Sequence, residues 1–257
     1  RRRGRCAFCL ISVQTFAKTR RVCYNKKMKV YAISDFHLSI NNPKPMDIFG
    51  EVWSNYLEEI SDFWQKNICE EDLVLIAGDI SWAMTLDAVK PDLSYLGAFK
   101  GKKVLLRGNH DYWWSTKTKM DVFLKNNSLD SISILFNNSY VVDDYAICGT
   151  RGWFLENESQ NDIKVLNREV GRLEMSIQSA IKTGKEPIVF LHYPPVYGTT
   201  KCDEVFNVLL KYDIKKCYYG HLHGKKNMRF AIEGEYEGID FKLISCDRLS
   251  FMPILVR

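Results

Sequence analysis

The five histidines of this chain are confined to four short segments: Asp35-Phe36-His37, Gly108-Asn109-His110-Asp111, Leu191-His192-Tyr193 and Gly220-His221-Leu222-His223. A fifth segment, Gly78-Asp79, adds a carboxylate. Imidazoles, carboxylates and one amide oxygen suit a dinuclear hydrolytic metal site; structural zinc would draw on cysteine, and none lies in these segments. Asp35 and His37 stand two apart, so on an extended segment they point the same way and can hold one metal. The two oxygens of Asp79 suit it to bridge a pair of cations. Asn109 offers a neutral oxygen, and Gly108 permits the tight turn that aims it. His221 and His223 repeat the two-residue spacing with Leu222 pointing away, and Pro194-Pro195 fixes the exit of the loop behind His192.

These residues need elements to converge them. Short apolar runs, Val30–Ser34, Leu73–Ala77, Val104–Leu106, Ile188–Leu191 and Cys217–Tyr219, read as strands, and each stops at one of the five motifs. In layered α/β proteins ligands gather at the carboxyl ends of strands. Helical spacing of apolar residues predicts one helix over Ile48–Trp64 and another from Ile163 to Ala180, closed by Gly184. Near the C-terminus, Arg229–Ile232, Tyr236–Ile239 and Phe241–Ser245 read as antiparallel strands turning at Glu233-Gly234-Glu235.

Of the 257 residues, 46% are apolar, enough for a sizeable core, and residues 28–257 are expected to form one domain. The net charge of +5 misleads: residues 1–27 carry nine Lys and Arg and no Asp or Glu, which leaves 27 basic against 31 acidic residues, a net −4, from Met28 onward. Residues 1–27 read as a non-native or disordered basic extension, with a targeting segment as the rival reading. The negative body disfavours nucleic acid as a partner. Cys6 and Cys9 lack histidine company and make a poor metal knuckle. No disulfide framework stands out among eight cysteines, which points to the cytoplasm, and no apolar run nears the ~20 residues that span a bilayer.

The motifs and their order, D-x-H, G-D, G-N-H-D, H and G-H-x-H across residues 30–246, resemble the calcineurin-like metallophosphoesterases. The resemblance implies an α/β fold of layered α-β-β-α type, a central mixed β-sandwich flanked by helices. It implies that Asp35, His37 and His223 bind one metal, Asn109, His192 and His221 a second, and Asp79 bridges them. His110 would contact the scissile phosphate and assist the leaving group. Asp111 would orient His110 or cap a helix over Tyr112-Trp113-Trp114. The implied activity is dinuclear-metal-dependent phosphohydrolysis of a phosphomonoester or small phosphodiester by a metal-bridging hydroxide. Mn and Fe suit the ligands best, with Zn, Co, Ni or Mg also admitted.

Trp82 stands where purple acid phosphatases carry a tyrosine ligand, and the Asp-Arg-Gly of serine/threonine phosphatases is missing, so the chain resembles a small prokaryotic-type member. Arg151 either reaches the substrate phosphate or a second charged group, or is a surface arginine stacked on Trp153, and Arg107 either joins it or forms a structural ion pair. Aromatics beside the motifs are expected to pack more than to stack a nucleobase, and Lys225-Lys226 to be solvated. A nuclease of the same fold and a non-catalytic metal-binding scaffold are the alternatives. The first predicts a basic groove, and the second predicts losses among the ligands.

Overall fold

The computed structural model describes residues 28–41, 43–154 and 159–256; the basic segment 1–27, with Cys6 and Cys9, lies outside the described residues. The chain first lays down β1 (Val30–Ile33), β2 (Leu73–Ala77), β3 (Lys102–Leu106) and β4 (Ile132–Ile134), all parallel, with α1 (Tyr56–Asn67), α2 (Lys90–Gly97) and α3 (Lys117–Asn126) as crossovers. It then builds a second sheet from β5 (Tyr140–Val142), β6 (Tyr145–Thr150) and β7 (Glu186–Leu191), with α4 (Gln160–Ile181) between the last two. A short ribbon, β8 (Val196–Tyr197) with β9 (Thr200–Lys201), leads through α5 (Asp203–Lys211) to β10 (Lys216–Tyr219). After α6 (Gly224–Met228) come β11 (Gly234–Tyr236) and β12 (Ile239–Leu243), and β13 (Ile254–Leu255) returns to the first sheet. The sheet orders are β13-β1-β2-β3-β4 and β11-β12-β10-β7-β6-β5.

Side-chain alternation assigns each strand residue to a layer. On β2, Val74 and Ile76 pack with Ile60, Trp64, Leu93 and Leu124 of the first three helices. Their neighbours Leu73, Leu75 and Ala77 face the other way, into a cluster shared with Ile188, Phe190 and Tyr218 of the second sheet. On β7 and β10, Val189, Leu191, Cys217 and Tyr219 pack against Leu173 and Ile177 of α4 and Phe206 and Leu209 of α5. The outcome is the α-β-β-α arrangement expected, because strands buried on both faces supply two apolar surfaces each. No helix among the described residues is long and apolar enough to cross a membrane.

The five strands expected before the motifs are all present. The helix expected over Ile48–Trp64 is not continuous. Met46–Phe49 and Glu51–Trp53 are single 3-10 turns parted by Gly50 (φ 130°), and the α-helix starts only at Tyr56. Apolar spacing alone did not register that a residue outside helical φ interrupts it. At the C-terminus Arg229–Ile232 is not a strand, although Ala231 bridges Tyr197. The hairpin turns at Glu237-Gly238, between the paired Tyr236 and Ile239, rather than at Gly234, which itself pairs with Phe241 in β11. Two residues with φ of 47° and 83° make the tight turn whose twist matches antiparallel strands.

Candidate metal centre

The ligand-type residues sit just past the strand ends, where the two sheets meet. Asp35, Asp79 and Asn109 follow β1, β2 and β3 of the first sheet; His192 follows β7, and His221 and His223 follow β10, of the second. Backbone hydrogen bonds carry the pairing beyond the strands: Asp35 N–H to Gly78 O, His37 N–H to Asp79 O and Leu38 N–H to Ile80 O, each 2.9 Å. Gly220 N–H donates to His192 O at 3.1 Å within the second sheet, and Ser34 N–H reaches across the sheets to Ile244 O at 2.9 Å.

Asp35 (φ 65°), His37 (φ 48°), Asp79 (φ 50°) and His221 (φ 72°) all adopt left-handed backbone. Such conformations cost roughly 1–3 kcal/mol each and persist where function demands them. Asp35 and His37 do face one site, but through this left-handed turn and not through the extended geometry expected. Gly108 makes a close approach: a Cβ there would overlap the Asp79 carboxylate and the Asp79 backbone nitrogen.

Two ligand groups result. Asp35, His37 and His223 converge in one, and Asp79, His192 and His221 in the other, the atoms of each lying within 4.8 Å of one another. Asp79 spans both, with Oδ2 3.7 Å from His37 Nε2 and Oδ1 3.5 Å from His192 Nε2. Asn109 Oδ1 joins the second group, 2.6 Å from His192 Nε2 and 3.0 Å from His221 Nδ1.

Hydrogen bonding fixes what these atoms can accept. His192 Nδ1 lies 3.1 Å from the Ala77 carbonyl, which can only accept, so that nitrogen carries the proton and Nε2 keeps its lone pair. That lone pair confronts the Asn109 carbonyl oxygen. His223 Nδ1 likewise lies 3.0 Å from Asp247 Oδ1, so in the neutral ring Nε2 turns a lone pair toward Asp35 Oδ1 and His37 Nε2, each 3.3 Å away. Lone pairs facing lone pairs in a buried site repel unless a cation lies between them, as at His192 and Asn109; at His223 either a proton or a metal ion must fill that place, and the residues therefore fit two metal ions.

Electrostatics agree. Burial, then the negative charges of Asp35 and Asp111, push Asp79 well above the usual carboxylate range. Burial would raise Asp35 too, but attraction to His223, then to His192 and His37, holds it well below that range. Burial drives His192 down to about 3 and His221 to about 4. Burial would lower His223 as well, but Asp35 and then Asp247 outweigh it and hold the imidazole up at about 10.

His110 takes a different place. Its Nε2 is 4.0 Å from Asp79 Oδ2, its ring lies 4.5 Å from Trp82 by centroids, and its side chain is about a third exposed at the mouth of the site. Burial lowers its pKa, which favours the neutral ring. The orienting role expected of Asp111 is not what its contacts serve. Its carboxylate accepts from the N–H groups of Gly108 (2.7 Å), Ile80 (2.9 Å) and Ser81 (3.3 Å) and from Trp113 Nε1 (3.0 Å), while His110 Nδ1 has no partner. Asp111 therefore braces the turn that carries Asn109, and Tyr112–Trp114 form a turn and not a helix. The carboxylate that does orient an imidazole of the two groups is Asp247, beside His223, which sequence reasoning missed. It stands just past β12, in the same strand-then-ligand pattern as the others.

Of the two places expected for Arg151, the stack on Trp153 is the one present. Its guanidinium lies 4.7 Å over Trp153 and its Nη2 3.3 Å from Glu169 Oε1. Arg107 has no carboxylate within ion-pair distance among the described residues. Trp82 stacks on His37 at 4.7 Å and Trp113 is buried against Asp111, so these aromatics pack, as expected. Lys225 and Lys226 are exposed on α6.

Among solved structures the fold is similar to TT1561 of Thermus thermophilus, at 10% identity and TM-score 0.51 over 76% of this chain and 82% of that one. It also matches AQ665 of Aquifex aeolicus, described as a protein of unknown function (18% identity, TM-score 0.49, 89% and 96% covered). A third match is the phosphopantetheinyl hydrolase PptH of Mycobacterium tuberculosis (15%, 0.45, 85% and 89%). No curated protein matches the sequence. The pattern that defines calcineurin-like phosphoesterases matches residues 28–225, most of the chain. With two buried ligand groups on that scaffold, the chain belongs to the calcineurin-like phosphoesterase family and is a metal-dependent phosphoesterase.

Proposed function

We propose that the chain hydrolyses a small phosphoester, a monoester or compact diester, at a centre of two metal ions. The observation that carries this reading is Asp79, whose two oxygens face two separate ligand groups. Asp35, His37 and His223 would hold one ion; His192, His221 and Asn109 the other, with Asp79 between. When bound, the ions supply Lewis acidity, lowering the pKa of water and neutralising charge on phosphate oxygens.

The protein's own groups do the rest. His110, neutral and at the mouth, presents Nε2 where it can donate to the phosphoryl or leaving oxygen as charge builds there. Asp111 keeps the Asn109 turn rigid, and Asp247 fixes the tautomer of His223. Beside His221 a cavity of about 280 Å³, lined by Phe154, Tyr193, Tyr197 and Leu222, offers an apolar seat for an organic leaving group. A reducing cytoplasmic setting accords with five free thiols at the described cysteines, four of them buried.

The test is hydrolysis of p-nitrophenyl phosphate and bis-p-nitrophenyl phosphate by metal-stripped protein reconstituted with Mn, beside Asp79→Asn. Release that needs metal and collapses at least a hundredfold in the variant supports the reading, and the ratio of the two rates separates monoesterase from diesterase. A variant as active as wild type would overturn it.

A further inference from the structure

A second polar cavity, of about 230 Å³, lies outside the ligand groups, lined by Arg107, Trp114, Asn137, Arg151, Glu169 and Arg172 among others. Among the described lining residues three guanidiniums face one carboxylate, an excess of two positive charges. Glu169 is buried and fully engaged: Oε1 takes Arg172 Nη1 at 2.7 Å and Arg151 Nη2 at 3.3 Å, and Oε2 takes the Thr150 hydroxyl at 2.6 Å. Among the described residues Arg107 has no carboxylate within ion-pair distance; burial, then repulsion from Arg151, lowers its pKa against the weaker attraction of Asp111 and Glu169. Three donors around the cavity, Arg107 Nε, Arg151 Nε and Trp114 Nε1, and one acceptor, Asn137 Oδ1, are buried with no hydrogen-bond partner among the described residues.

Orphaned buried donors are costly, so a cluster of them points to a place where a ligand completes them. Donors in excess over the single orphaned acceptor, with two uncompensated charges among the lining residues, call for a dianion with several acceptor oxygens, and planar guanidinium forks match phosphate bidentately. A carboxylate would balance only one of the two charges. The cavity also adjoins the metal centre. Arg107 is two residues from Asn109, at most about 7 Å along the chain. The Arg151 carbonyl accepts from His192 N–H at 3.1 Å and Tyr193 N–H at 2.9 Å.

We propose that the Arg107–Arg151–Arg172 cavity binds a second phosphate group carried on the same molecule as the ester cleaved at the metal centre. This rests on the hydrolase reading above and narrows its substrate class to compounds bearing two phosphates. The second phosphate binds in ground state and transition state alike, so it lowers KM more than it raises kcat.

Two arms test it on the metal-loaded full chain. In the first, phosphate release is followed from alkanediol bisphosphates of two to six carbons and from the matching monophosphates. Two equivalent ends give a factor of two in kcat/KM by statistics. The expected ratio is at least tenfold at the best chain length, falling steeply toward two in Arg107→Gln, chiefly through KM. A wild-type ratio near two at every length overturns the proposal.

In the second arm, Tm is measured in sulfate and in chloride at matched ionic strength. Sulfate should raise the wild-type Tm well beyond that of Arg107→Gln; both proteins retain the metal ligands, so the difference isolates the cavity. Among the described residues no carboxylate lies within ion-pair distance of Arg107, so its loss breaks no ion pair there and the variant should fold. Equal sulfate shifts overturn the proposal. An Arg107-dependent shift with a ratio near two also overturns it, since the anion is then a separate molecule. An Arg107-dependent shift with no hydrolysis of any ester upholds the cavity as a phosphate site while sinking the hydrolase reading and the shared-substrate claim with it.

Discussion

Asp247 stands behind His223, a metal ligand on the reading proposed above, as a carboxylate that fixes the imidazole's tautomer and raises its basicity, and Gly224 N–H, 2.9 Å away, holds the other oxygen in place. Loss of such a partner typically weakens metal affinity about 10–100-fold. Asp247→Asn should show that loss at one ion of the pair, read by metal titration with a competing chelator, with the fold unchanged by circular dichroism. The same imidazole sets a pH dependence. Because its pKa in the metal-free protein is held up at about 10, a proton occupies His223 throughout the neutral range and any cation must displace it. Apparent affinity at this group should therefore keep climbing as pH rises from 7 to 9, where an ordinary histidine would have levelled off above about 6.5. Calorimetry in buffers of different ionisation enthalpy should show proton release on binding at pH 7.5, about one from His223 and more to the extent that Asp79 is protonated there. No proton release there would mean that the Asp35 and Asp247 contacts do not hold the ring charged.

At the scale of elements, the site depends on turns that hold strand ends close. Gly108 is the tightest of them, and a methyl group there would meet Asp79 before anything could relax. Gly108→Ala should cost on the order of 1–3 kcal/mol, as overpacked sites do, and weaken metal binding by displacing Asp79. Gly171, inside α4 with nothing within 4 Å of an added methyl, is the control: Ala should stabilise it by roughly 0.5–1 kcal/mol. Thermal melts with metal analysis read both, and equal effects would show that the Gly108 contact is soft. The strand-then-ligand grammar was legible in sequence because short apolar runs ending at Asp, Asn or His are local patterns. The interruption at Gly50 and the turn at Glu237-Gly238 were less so, since apolar spacing says nothing of φ. The hidden parts are long-range. Asp247 meets His223 only once β12 lies beside β10, and Arg107, Arg151 and Arg172 share a cavity only once α4 covers β6. Asp111 misled for a related reason: adjacency to His110 suggested contact, while its oxygens were claimed by backbone N–H groups from two loops.

In the molecule as a whole, each ligand group draws on both sheets. Asp35 and His37 come from the first and His223 from the second; Asp79 and Asn109 come from the first and His192 and His221 from the second. Bound cations would therefore staple the sandwich at its open end, while the apolar layer between the sheets holds it elsewhere. Without them, the buried carboxylates and imidazoles of that end are left to one another, with Asp35 and Asp79 repelling and four residues held in left-handed backbone. Any ligand that binds only the folded state stabilises it by mass action, about 2.7 kcal/mol at a hundred times Kd. For a body of this size each kcal/mol moves Tm by roughly 2–4 °C. Metal removal should thus lower Tm by about 5–10 °C, and hydrogen exchange should quicken most in the loops after β1, β2, β7 and β10. The sheet centres, buried on both faces, should exchange as before until global unfolding. If protection were lost evenly over both sheets, the ions would be holding up the whole sandwich and not one end of it. If it were lost nowhere, the strained loops would already be fixed by their own hydrogen bonds, and the centre would be preorganised for its metals.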